Sequence, residues 1–63
     1  MYYIVNDDNS ILHSNNQFYI CFMSGYGMQP SLYKRKANAE RKCAEMQKKY
    51  PQWTLRVVEQ HKR

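Results

Sequence analysis

The stretch Lys36-Ala37-Asn38-Ala39-Glu40-Arg41-Lys42-Cys43-Ala44-Glu45-Met46-Gln47-Lys48-Lys49-Tyr50-Pro51 decides the fold. From Lys36 to Lys49 it holds no glycine or proline and consists mostly of strong helix formers. Ala39, Cys43, Met46 and Tyr50 recur at spacings of four, three and four, which places them on one helical stripe. Pro51 has no amide proton to donate and disfavours helical backbone in the residue before it, so the helix stops at or just before Tyr50. The spacing thus predicts a helix over about 36–49 with that stripe buried. Glu45 and Lys49 stand at the favourable i,i+4 separation, and Arg41 lies four residues before Glu45.

Beyond the proline, Trp53 to Glu59 alternates with period two. Trp53, Leu55 and Val57 share one face of a strand, and Thr54, Arg56 and Val58 the other. His61-Lys62-Arg63 reads as a frayed tail. On the N-terminal side, Ser31-Leu32-Tyr33-Lys34 is either a further strand or the lead-in to the helix, and Ser24 to Pro30 is a loop that contains both glycines. Gln17 to Met23 alternates aromatic and aliphatic residues without a charge and reads as a central strand. Ile11-Leu12-His13 and Tyr2-Tyr3-Ile4-Val5 are shorter strands, separated by the turn formers Asn6-Asp7-Asp8-Asn9-Ser10, with Ser14-Asn15-Asn16 as the next turn.

These pieces fit an α+β domain over residues 1–63: an antiparallel sheet of three or four strands with one helix packed on one face, in the order β-β-(β)-α-β. The helix stripe is expected against Trp53, Leu55 and Val57 and against Phe18, Ile20 and Phe22. The opposite sheet face would carry Tyr19, Cys21, Met23, Thr54, Arg56 and Val58, with Tyr2 or Tyr3, and would stand uncovered.

Sixty-three residues bound what such a domain can do. A chain of this size buries only about 60% of its unfolded surface, too little for a roomy catalytic cavity, a nucleotide-binding βαβ unit or a two-domain cleft. Hydrophobic residues at 43% and charged residues at 24% suit a folded domain. No apolar run approaches 18 residues, and the N-terminus lacks a basic segment followed by a long apolar one, so neither a membrane span nor a secretory signal is expected. The two cysteines, Cys21 and Cys43, sit in apolar patterns; a disulfide scaffold of this size normally carries four or more, so a reduced, cytoplasmic chain is expected.

Catalytic and metal chemistry find few candidates. Asp7 and Asp8 are adjacent within a turn cluster, and the calcium-loop glycine and closing glutamate are missing after Asp7 and Asn9. His13, Cys21, Cys43 and His61 show no CxxC or HxxxH spacing. Gly25-Tyr26-Gly27 lacks the rest of a phosphate-binding loop and reads as a turn. The expectation is a non-enzyme with no metal or cofactor.

Charge is more informative. Residues 1–33 contain Asp7 and Asp8 and no Lys or Arg, for −2; residues 34–63 hold ten Lys/Arg against Glu40, Glu45 and Glu59, for +7, which together give the +5 of the whole chain. Lys34, Arg35 and Lys36 fall at the start of the helix, where the macrodipole already disfavours cations. Arg35 or Lys36 occupies the capping position, unless Asn38 caps a helix that begins one turn later. Either way, free amides and three cations converge, as an anion site requires. Ala37, Arg41, Ala44 and Lys48 project from the outer helix face, flat and basic enough to lie along a phosphate backbone or an acidic protein. The plainer account of each is a solvated run of helix-forming residues that keeps a small protein dissolved.

The plan of strands followed by one helix resembles small sheet-plus-helix DNA-binding modules such as the arm-binding domains of integrases. It is a resemblance of layout, and no residues are carried over from it. The expected function is a module that contacts DNA or RNA phosphates through Lys34, Arg35, Lys36, Arg41 and Lys48. The alternative is a small inhibitor or adaptor, of the kind phages and mobile elements encode, acting on a host protein. It would use the basic surface on an acidic partner, or the sheet face of Tyr19, Met23, Arg56 and Val58 on an apolar partner or a second copy of the chain.

Overall fold

The computed structural model describes residues 1–25 and 27–60. Its elements are β1 (Tyr2–Val5), β2 (Ile11–Leu12), β3 (Phe18–Tyr19), α1 (Lys36–Lys49) and β4 (Arg56–Glu59). The strands form one antiparallel sheet in the order β3-β2-β1-β4. The fold is therefore the expected α+β arrangement with four strands, and the helix spans the residues its composition predicts. Tyr50 follows as C-cap, its amide donating to the Met46 carbonyl.

Register settles the two faces. β1 and β4 pair Tyr3 with Val58, Ile4 with Val57 and Val5 with Arg56; β2 and β3 pair Leu12 with Phe18 and Ile11 with Tyr19. Ile4, Leu12, Phe18, Leu55 and Val57 face the helix, where Ile4, Leu12, Met46 and Leu55 form the buried core with Cys43, Tyr50 and Trp53 packed around it. Trp53 stacks on Tyr50 at 4.7 Å, and Phe18 meets both rings edge-on, which seats the helix C-terminus on the sheet.

The expected central strand, Gln17 to Met23, is corrected. Only Phe18 and Tyr19 pair, and β3 lies at the sheet edge. Phe18 alone of the expected trio reaches the core, while Ile20 is 80% and Phe22 45% exposed. A strand needs a neighbour to satisfy its backbone, and past Tyr19 the register would reach Ser10, which is spent in the turn: its amide donates to Asn6 Oδ1 and its carbonyl accepts from the Asn6 amide. On its other side β2 is flanked by the segment before the helix: Ser31 donates to the Leu12 carbonyl, and Tyr33 exchanges both backbone bonds with Tyr2 at 2.9 and 2.7 Å. Residues 30–33 thus fill the gap where β1 and β2 part.

The second correction concerns the far sheet face, which is not open. Val5 and Ile11 lie on it at 4% and 7% exposure, and His13 beside them is fully buried. The chain after β3 folds back here. Phe22 packs edge-on against Tyr3 with ring centroids 5.2 Å apart, and the Met23 amide donates to His13 Nε2 at 2.9 Å. No helix is long and apolar enough to cross a membrane among the described residues.

Candidate phosphate-binding surface

The helix opens without a side-chain cap. Arg35 holds the N-cap position in extended backbone (φ −110°, ψ 134°) and makes no side-chain cap bond, no side chain among the described residues bonds the first-turn amides, and no acidic residue lies in the first turn. The helix therefore does not start later at Asn38. Lys36, Ala37 and Asn38 sit in the turn whose amides have no intrahelical acceptor, and Lys34, Arg35 and Lys36 are all exposed around them. The base of this corner is held by the paired backbone bonds between Tyr33 and Tyr2. Burial pushes the Tyr33 phenol above its ordinary pKa, a rise that Lys42 and a hydrogen bond to Ser31 partly offset.

Arg41 and Lys48 are exposed on the outer helix face with Ala44 between them and Ala37 one turn before Arg41, as the spacing predicts. From Lys36 to Lys48 the helix rises about 18 Å, so the cations form a stripe rather than a point. Among the described residues the one ion pair is Lys42 Nζ to Glu45 Oε2 at 3.2 Å. Glu45 therefore takes its i−3 neighbour rather than Lys49, whose ammonium lies 5.7 Å above the Tyr50 ring. Lys34, Arg35, Lys36, Arg41 and Lys48 thus have no acidic partner among the described residues.

The second residue group is placed differently. Tyr19, Arg56 and Val58 lie on the far face as expected, but they are engaged. Tyr19 stands edge-on to His13 at 4.9 Å and accepts a bond from Asn15; Arg56 donates to Asn9 Oδ1 at 2.7 Å; Val58 is half-buried opposite Tyr3. Met23 is 39% exposed beside Phe22, so on this side the exposed apolar residues are the run Ile20–Met23 rather than the sheet itself. Cys21 is exposed and Cys43 half-buried, both as free thiols. Burial raises the Cys43 thiol above its ordinary pKa, with Glu40 adding to the effect. Tyr26 and His61, Lys62 and Arg63 lie outside the described residues.

Sequence reasoning missed the open groove of about 480 Å³ between α1 and β4, lined by Lys36, Glu40, Cys43, Ala44 and Gln47 from the helix and by residues 55–57. The helix-wheel position of Gln47, beside the buried stripe, was the available signal. The chain matches no protein-family model, no curated protein and no solved structure.

Proposed function

We propose that the chain is a non-enzymatic module that binds nucleic-acid phosphates, with Lys34, Arg35 and Lys36 gathered on the uncapped opening of α1 and Arg41 and Lys48 extending the contact along its outer face. The observation that carries this reading is the first turn itself: free amides, no cap, no acid and three exposed cations. An isolated helix would be more stable with Ser, Thr, Asp or Asn at position 35 and acids after it. A phosphate supplies both missing features at once. Readout is of backbone rather than of base edges, because the outer face offers alanines and flexible cations and no side-chain pair set to read a base.

Salt dependence tests it. Five cations that each neutralise one duplex phosphate give a slope of log affinity on log salt near −4.5, an affinity loss of about 500-fold between 50 and 200 mM. Arg35→Glu and Arg41→Glu should each flatten the slope. Affinity unchanged over that range, or no duplex or single-strand binding in 50 mM salt, refutes the reading.

A second reading rests on the exposed apolar run. Ile20 at 80%, Phe22 at 45% and Met23 at 39% exposure sit in the half of the chain that carries no Lys or Arg, which suits an apolar protein partner. Such a complex should resist salt and be lost in Phe22→Ser, whereas the phosphate contact should be unaffected by that change.

A further inference from the structure

The outer edge of β4 is half closed by a side chain, and the way it is closed shows what the rest of the edge lacks. Gln60 donates its amide to the Met1 carbonyl, and the antiparallel register then turns the backbone groups of Arg56 and Val58 toward β1. Those of Leu55, Val57 and Glu59 point the other way, out of the sheet. At the start of this edge, the Gln47 amide imitates a neighbouring strand: Oε1 accepts from Leu55 N–H at 2.9 Å and Nε2 donates to the Trp53 carbonyl. One repeat further along, the Leu55 carbonyl and the Val57 and Glu59 amides have no such side chain among the described residues, and the groove runs beside Leu55 and Val57.

We propose that a second copy of this chain occupies that edge, the two β4 strands pairing antiparallel about a two-fold axis at Val58 to make one eight-stranded sheet with both helices on the same face. In this register Val57 and Glu59 of one copy exchange backbone bonds with Glu59 and Val57 of the other, the groups that point outward. Arg56 falls opposite Gln60, so no like charges oppose each other. An axis at Val57 would instead set Glu59 against the apolar Leu55.

The helices distinguish a second copy from an unrelated extended peptide. Gln47 sits level with Thr54, and Val58 lies four strand residues on, about 13 Å at a strand's rise. At the helix rise that distance is about nine residues, which brings the axis level with Asn38. Lys36 and Glu40 stand two residues to either side, both line the groove, and neither has an ion-pair partner among the described residues. A two-fold axis between them sets Lys36 of each copy beside Glu40 of the other. Repulsion between two +5 chains is cut by a screening length of about 8 Å at physiological salt. This pairing does not depend on the phosphate reading; it takes Lys36 into an ion pair and leaves Lys34, Arg35, Arg41 and Lys48 of each copy to a phosphate.

Sedimentation of the full chain without nucleic acid tests it. The mass should rise to that of two chains with concentration, with Kd below about 1 mM, and alkylation of Cys43 in the groove should slow in step while that of Cys21 does not. Glu59→Pro deletes an outward amide and leaves the bonds to β1, so it should abolish the two-chain species. Lys36→Glu and Glu40→Lys should each weaken pairing about tenfold by breaking both symmetric pairs, and the double variant should restore it. A single-chain mass up to about 1 mM, a dimer that persists in Glu59→Pro, or reversals that the double variant fails to rescue overturns the proposal.

Discussion

At the scale of single residues, two buried polar side chains hold the irregular parts of this chain. Asn6, 2% exposed, accepts amides from both Asp8 and Ser10 at 2.9 Å and so closes the turn in which Asn9 takes φ 63°. Asn6→Ala should cost about 2 kcal/mol, since two amides lose one acceptor. His13 does the same work for the far face. Its Nε2 accepts from Met23, which makes Nδ1 the protonated nitrogen that donates to the Ile11 carbonyl at 2.8 Å. His13→Leu should destabilise by about 2 kcal/mol in urea titration and should speed hydrogen exchange at the Met23 amide more than at Val5. Equal exchange at both sites would mean the histidine does not clip the loop. The turn chemistry of Asn6 to Ser10 was legible in sequence, because Asn, Asp and Ser satisfy backbone locally. The role of His13 was not: period-two alternation says which face a side chain takes, but not which distant segment folds over it.

At the scale of elements, the helix was legible to its last residue, whereas β3 was not. Lys36 to Lys49 carries its own information, in composition, in the 39-43-46-50 stripe and in the proline that ends it. Gln17 to Met23 has equally good strand composition, yet strand length is set by the partner, and pairing stops after Tyr19. The Lys42–Glu45 pair, with the glutamate 69% exposed, adds only a few tenths of a kcal/mol to α1. More is gained at its uncapped start. Arg35→Ser keeps the extended backbone found there and supplies an acceptor to the first turn, so it should stabilise the protein by about 1 kcal/mol. The same variant should weaken phosphate binding and reduce the salt slope by about 0.9. Greater stability with unchanged affinity would separate the N-terminus from the binding surface.

At the scale of the molecule, one thin core carries the stability, and the surface run outside it does not. Ile4 and Leu12 are fully buried, so either one changed to Ala should cost about 2–5 kcal/mol, while Ile20→Ala, at 80% exposure, should stay within about 0.5 kcal/mol. The rim of the same core sets the alkaline limit. Tyr33 and Cys43 pack against it, and burial raises both pKa values because the charged forms lose water. Their folded values exceed their unfolded ones, so between the two the native chain binds more protons than the unfolded chain. Their contribution is whole below the ordinary thiol and phenol ranges and is lost as pH climbs through the raised values. The urea midpoint should therefore fall from about pH 8 to about pH 11, and Tyr33→Phe, which cannot ionise, should fall less. A midpoint that falls equally in both proteins would take Tyr33 out of the alkaline loss.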